Sequence, residues 1–509
     1  MSKTIYSLWT ASEENYRDLP AVRWLKGQEI CELSYGQLGE KLAGVRKGLF
    51  AQDFTKANIA ILGTSSMEWV CAYMGIITGR NTAVPLDAAL PPADLIELLI
   101  RSNATGVFLD PKFEKLAAPI RAKCPNIRKI WMLSGNEVEG TESLESLMES
   151  GRAVESTPVP EEEDLSMIVF TSGTTGKSKG VMLTQKNLYT NVEAILYKTD
   201  PGLVFMSVLP VHHAFCLVMD WLQGFMMGAV ICINDSLLHM VKNMSIFKPD
   251  VMLMVPLMIE TIYKRIKAAG DVPPAVIAQK VFGGKLKTVF TGGAHLEEYY
   301  IDEFEKYGVQ VLEGYGMSEC SPVISSNRVH DFKKGSIGKP LPNVEISFEN
   351  GEILVRSTSV MKGYYYMEEE TKEALKDGWL HTGDKGYMDE DGFLFINGRV
   401  KNLIILSNGE NISPEEIEGK LALNPLISEV VITGENNALT ARIYPEDALT
   451  KDMPAEEVKA ALQKVLDGFN REQPTYRQIS RLVVREHPFI KNSSRKILRT
   501  EVLRDEPTA

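Results

Sequence analysis

The sequence predicts an α/β protein built on largely parallel sheets. Over the first 160 residues, short β-rich runs alternate with runs of helical apolar spacing. A strand-like run at 166–170 leads at once into a loop dense in Gly and Thr. Further strand–loop units recur at 251–255, 288–291 and 309–313.

Taken in order, residues 35–50 carry apolar side chains at helical spacing, and 59–62 form a short strand ending at Gly63. A helix is expected over 67–77, a strand over 82–85, a helix over 95–100 and a strand over 106–109. Residues 156–164 (STPVPEEED) read as a polar connection. From 339 to 399, Gly and Pro punctuate short strands such as 352–356, which suggests an antiparallel region. Residues 455–469 form an amphipathic helix, with Val458, Leu462, Val465, Leu466 and Phe469 on one side. A domain boundary is placed at 398–401, giving domains 1–398 and 399–509.

Bulk composition narrows the function classes. The chain has 509 residues, 44% hydrophobic and 24% charged, ordinary for a globular protein of about two to four domains. A net charge of -12 argues against nucleic acid or anionic membrane as partner, since both need a basic footprint. Cys31, Cys71, Cys124, Cys216, Cys232 and Cys320 form no CxxC pair and no zinc-like spacing, which fits a reducing, cytoplasmic compartment. The first 20 residues lack the apolar stretch of a signal peptide. The most apolar stretch, 217–233, is broken by Asp220 and Gln223 and reads as buried core rather than a membrane span.

The segment TSGTTGKSKG at 171–180 is the first that carries chemistry. Thr171, Ser172, Gly173, Thr174, Thr175, Gly176 and Lys177 combine hydroxyl and ammonium donors with glycines that let backbone N–H groups approach an anion. A bare Gly/Ser run would read as a surface turn, but this one follows a strand and is rich in donors. It is not a Walker-type loop, because Thr171 stands where the first Gly is required.

With its later motifs the chain resembles the adenylate-forming superfamily of acyl-CoA synthetases, luciferases and peptide-synthetase adenylation domains, most of all a fatty acyl-CoA ligase. The stretches LPVHHAF (209–215), TGGA (291–294), EGYGMSE (313–319), WLHTGD (379–384), GRVK (398–401), SNGENISPEEIE (407–418) and SSRKILR (493–499) follow the loop in family order. The resemblance implies a large N-terminal domain of two αβ-layered sheets plus a distorted β-barrel, with a small mobile α+β C-terminal domain hinged near Lys401.

It also implies a reaction. A carboxylate is a poor acyl donor, and attack on the ATP α-phosphate turns its oxygen into part of AMP, a far better leaving group. Cations must meet the charge gathering on that phosphate. Lys496 matches the α-phosphate lysine, although Arg495 stands where the family usually has Gly. Glu319 matches the Mg2+ ligand, with Thr171 or its neighbours as hydroxyl partner. Gly292, Gly293, Ala294, Glu313, Gly314, Tyr315, Gly316 and Met317 would line the adenine slot, and Ser318 keeps the hydroxyl of a common Thr. Asp384 would accept from the ribose hydroxyls, and Arg399 would reach ribose or phosphate. His213 matches a gate beside the substrate carboxylate, with His212 as its competitor. Gly409 would line a pantetheine channel in a second, thioester-forming pose.

Ala214 occupies the position of the Asp that pairs with the substrate ammonium in amino-acid-activating members. An unpaired buried ammonium is costly, so amino acids are disfavoured. Phe215, Leu217, Val218, Trp221, Leu222, Phe225, Met226, Met252, Met254 and Met258 supply an apolar lining or plain core. A fatty or other aliphatic acid is the first choice of substrate and an aryl acid the second. With no carrier or reductase module seen, CoA is the expected acceptor, and the phosphopantetheine of a free-standing acyl carrier protein is the alternative. A monomer or homodimer is expected. A degenerate sensor is the non-enzyme reading, and the intact Lys496, Glu319, Asp384 and Arg399 argue against it.

Overall fold

The computed structural model describes residues 2–171, 178–195, 197, 199–405, 411–435, 438–491 and 497–503. It contains two compact units. One comprises Met1–Ala294, Glu298–Ile346 and Val355–His381; the other comprises His295–Glu297, Ser347–Leu354 and Thr382–Ala509. The chain crosses from the first to the second for the last time inside the strand Trp379–Met388.

The first unit holds two large sheets. The eight-stranded sheet has a parallel centre in which Asn58–Leu62 lies between Thr82–Leu86 and Gly106–Leu109. The nine-stranded sheet has a parallel centre of Val204–Ser207, Val230–Ile233, Val251–Met254, Thr288–Thr291 and the start of Gln310–Gly316. These central strands are apolar and buried on both faces, as expected where helices cover a parallel sheet. The helix Tyr35–Ala51 begins with a capping box at Ser34, and Met67–Thr78 is capped by Ser66. Both pack into one extended core around Trp69, Trp131 and Trp221.

Residues 216–226 form a π-helical turn, Cys216–Leu222, continuing into the helix Gln223–Met226. Sequence spacing gives no sign of it, since a continuous apolar run suits an α- and a π-turn equally. The widened turn keeps all seven of its residues buried, including Asp220.

In the second unit, Ile427–Glu435, Ala438–Pro445 and Ile479–Val484 form a three-stranded sheet. Helices Pro414–Ala422 and Ala455–Arg471 bury Ile417, Leu421, Val458, Leu462 and Leu466 in its core, so the expected apolar helix face is the one that packs. In the region expected to be antiparallel, Leu375–Lys376 pairs with Trp379–Met388, which also pairs with Leu394–Arg399. No described helix is long and apolar enough to cross a membrane.

Candidate active site

The strand Leu165–Thr171 pairs antiparallel with Lys179–Thr184, placing Thr171 opposite Lys179 and Phe170 opposite Gly180. The two strands flank the donor-rich segment, whose Ser172, Gly173, Thr174, Thr175, Gly176 and Lys177 lie outside the described residues. Thr171 Oγ1 donates to the Lys179 carbonyl at 3.5 Å. Arg101 braces the same place from a neighbouring helix. Its guanidinium donates to the Ser178 carbonyl at 2.6 Å and to Ser178 Oγ at 3.3 Å, and it lies over the Phe170 ring.

Glu319 sits on the short turn Ser318–Cys320, which packs against the strand Lys179–Thr184. Its relative exposure is 8%, low for a carboxylate, so it needs a polar partner. Tyr364 provides one, its hydroxyl donating to Glu319 Oε1 at 2.8 Å. Burial, reinforced by the Glu319 charge, raises the Tyr364 hydroxyl above its ordinary value and keeps it a donor. Asn191 fixes the following backbone, donating to the carbonyls of Cys320 at 3.2 Å and Val323 at 2.8 Å. A buried carboxylate held in this way is a suitable oxygen donor for a hard divalent cation. Among the described residues, no cluster of three or more His, Cys, Asp or Glu could hold a metal alone.

Thr291 and Glu313 are direct partners on parallel strands; 292–294 leave the sheet there, while 314–316 continue in it, paired antiparallel with Val323–Ser326. Glycine is required here by close backbone approach. A Cβ on Gly292 would stand 2.8 Å from the Gly314 carbonyl oxygen, and one on Gly316 would stand 2.1 Å from that of Pro322. Gly293 adopts φ +83°. Tyr315 is buried, and Met317 N–H donates to the Pro322 carbonyl at 2.9 Å.

The His212 and His213 rings lie against each other, tilted by 46° with centroids 4.1 Å apart. Burial pulls His212 below its ordinary value against the opposing charge of Asp87, whose Oδ2 lies 3.6 Å away. His212 is thus engaged with Asp87. Of the expected apolar lining, Leu217, Val218, Trp221, Leu222 and Phe225 belong to the main core, with Phe215, Met226 and Met258 packed against it. Met252 and Met254 are fully buried strand residues.

In the second unit, Asp384 and Arg399 face each other across paired strands, and Arg399 Nε donates to Asp384 Oδ1 at 2.9 Å. Thr382 and Glu352 hold the approach, through Thr382 Oγ1 to Asp384 N–H at 3.1 Å and Glu352 Oε1 to Gly383 N–H at 2.9 Å. Lys401 lies in the turn that follows, where Asn402 and Leu403 N–H donate back to the Arg399 carbonyl. Gly409 and Lys496 lie outside the described residues. The chain on either side of 492–496 is tied together by the Lys491–Ile497 bridge and by Leu498 N–H to the Ile490 carbonyl at 2.9 Å. Arg499 donates to Glu418, whose carboxyl is pushed up by burial despite that cation.

Tyr364, Arg101 and Asn191 escaped the sequence reading. Each acts through a contact distant in sequence, and an aromatic run such as GYYY carries no chemical signal of its own.

Residues 9–365 match the model of the family described as AMP-binding enzyme, and 401–505 match that of the AMP-binding enzyme C-terminal domain. The chain is 31% identical to a long-chain-fatty-acid–CoA ligase of Salmonella typhimurium, over 99% of this chain and 94% of that one. It is 27% identical to the long-chain-fatty-acid–CoA ligase FadD15 of Mycobacterium tuberculosis, over 74% and 71% of the two chains. Its fold is shared with an anthranilate CoA ligase, AuaEII, in complex with anthranoyl-AMP (TM-score 0.86, 20% identity, 99% and 97% covered). It is shared too with ATP-bound MatB from Rhodopseudomonas palustris (TM-score 0.82, 24% identity, 99% of each chain covered). Together with the glycine-lined strand ends and the buried Glu319, these matches place the chain in the AMP-binding enzyme family.

Proposed function

We propose that this protein activates an aliphatic, fatty carboxylic acid with ATP to give acyl-AMP and pyrophosphate, then transfers the acyl group to the thiol of CoA, releasing AMP. The observation that carries this reading is the likeness to the Salmonella typhimurium long-chain-fatty-acid–CoA ligase along almost the whole of both chains.

The roles are those that the resemblance implies for the matching positions. Thr171 and residues 172–177 orient the β- and γ-phosphates. Lys496 meets the charge on the α-phosphate. Glu319, aided by Thr171, holds Mg2+, which when bound offsets phosphate charge and aligns the nucleotide for in-line attack. Residues 292–294 and 313–317 line the adenine slot, their small residues and backbone groups leaving room for a flat base against them. Asp384 accepts from the ribose hydroxyls, with its orientation set by Arg399. His213 stands at the substrate carboxylate, the place its position three residues after Pro210 gives it in the resemblance. Lys401 is the hinge through which residues 399–509 change pose between half-reactions, and Gly409 then faces the pantetheine arm.

The test is pyrophosphate release across fatty, aryl and amino acids, followed by AMP release with CoA or with an acyl carrier protein. Medium- or long-chain fatty acids should turn over best, with CoA as acceptor. Preference for an aryl acid, or for a carrier protein, would replace the corresponding part of the reading.

A further inference from the structure

We propose that Tyr364 is a positioning residue for metal binding. It fixes the Glu319 carboxylate so that one oxygen is directed to the cation, and it couples that carboxylate to the phosphate-binding hairpin. The inference rests on the reading of Glu319 as the Mg2+ ligand.

One short segment, 361–365, grips two parts of the site at once. Met361 N–H donates to the Glu319 carbonyl at 2.8 Å, fixing the backbone of the turn. Lys362 N–H donates to the Met182 carbonyl at 2.9 Å and Tyr365 N–H to that of Gly180 at 2.8 Å. Between them, Gly363 and Tyr364 pair antiparallel with Met182 and Val181, on the strand that follows the phosphate-binding segment. The Tyr364 side chain repeats this connection. Its hydroxyl donates to Glu319 Oε1 at 2.8 Å, while Lys179 Nζ lies 4.6 Å from the centre of its ring.

The consequence is geometric. The terminal torsion of a glutamate is broad, so a carboxylate without a partner samples many orientations. A hydrogen bond to Oε1 narrows that range and presents Oε2 to the cation. The Lys179 ammonium over the ring fixes where the hydroxyl stands, and Lys179 is itself paired with Thr171 in the strand register. The carboxylate is thereby held at a set spacing from the strand that follows the phosphate-binding segment before the cation arrives, as partners behind metal ligands commonly do.

Tyr364→Phe removes the hydroxyl and keeps the ring under Lys179. The measurement is Mn2+ affinity by electron paramagnetic resonance on full-length protein saturated with a non-hydrolysable ATP analogue, beside nucleotide affinity in chelator. Melting temperature reports folding, and the Mg2+ dependence of kcat and of the ATP KM gives a kinetic readout. Tyr364→Phe should weaken Mn2+ binding roughly 10- to 100-fold while metal-free nucleotide affinity stays within about twofold of wild type. Excess Mg2+ should then restore most of kcat. Wild-type Mn2+ affinity in Tyr364→Phe, with affinity lost in Glu319→Gln, overturns the proposal and leaves the role of Glu319 standing. Wild-type affinity in Glu319→Gln overturns that role instead. Equal loss of metal-free nucleotide binding in Tyr364→Phe shows a general structural part and also overturns the proposal.

Discussion

Arg399 donates from Nε to Asp384 Oδ1 at 2.9 Å, and the two residues stand directly opposite on paired strands. The pair is unequal: the Asp384 side chain is 7% exposed and that of Arg399 is 52% exposed. The carboxylate is the constrained partner, and the guanidinium sets its direction. Arg399→Ala leaves a buried carboxylate short of a donor, at a cost of about 1–3 kcal/mol. The ATP KM should rise about tenfold while the acid KM changes little. Arg399→Lys should fall between, because an ammonium cannot reproduce the directed Nε–H. An unchanged ATP KM in Arg399→Ala would remove Asp384 and Arg399 from the nucleotide site.

Neighbouring glycines separate backbone spacing from backbone conformation. Gly292→Ala forces its Cβ against the Gly314 carbonyl, whereas Gly293→Ala meets no atom within 4 Å and suffers only from φ +83°. The Gly293 change should cost about 1–2 kcal/mol of stability through strain. The Gly292 change should push the two strand ends apart and raise the ATP KM more than Gly293→Ala does. Melting temperature and ATP KM for both variants check this, and equal KM effects would contradict the assignment of these strand ends to adenine.

Much of this was legible in the sequence, and the limits have physical causes. The strands at 58–62, 82–86 and 251–254 announce themselves because buried parallel strands are short, apolar and punctuated. Glu319, Asp384 and Gly292 stand in compact motifs, and it is the resemblance carried by those motifs that singles them out in the sequence. Tyr364 was not legible, because its meaning lies in a contact 45 residues back along the chain. The π-turn at Cys216–Leu222 was hidden for another reason, since its consequence is the burial of Asp220 rather than any change of hydrophobic pattern.

That burial has a pH consequence. Asp220 is fully buried, its Oδ1 has no hydrogen-bond partner among the described residues, and burial pushes its carboxyl up to about 7. An unfolded Asp titrates near ~3.9. Between these values the folded chain keeps a proton that the unfolded chain has released. Stability from this group is therefore full below about pH 4, falls as pH rises through the window, and stays low above about pH 7. The full effect is on the order of 2–4 kcal/mol. Asp220→Asn abolishes the titration, so denaturant melts should show it gaining on wild type between about pH 4.5 and about pH 8. A constant difference across that range would contradict the buried, proton-holding carboxyl.

Lys496 distinguishes the half-reactions. Its proposed work is confined to charge on the α-phosphate, so Lys496→Ala should slow adenylation by about 3 kcal/mol or more in barrier. Thioester formation from supplied acyl-AMP and CoA should be close to wild type. Equal loss in both assays would assign the lysine to overall structure.

The central claim is that this chain forms an acyl-adenylate from a carboxylic acid and ATP. Acid-dependent exchange of labelled pyrophosphate into ATP, measured without CoA, tests it most directly. The prediction is exchange with a fatty acid, dependent on Mg2+ and abolished in Lys496→Ala, with AMP appearing in quantity only when CoA is added. Absence of exchange with every fatty, aryl and amino acid tried, in folded protein that binds ATP, would contradict it.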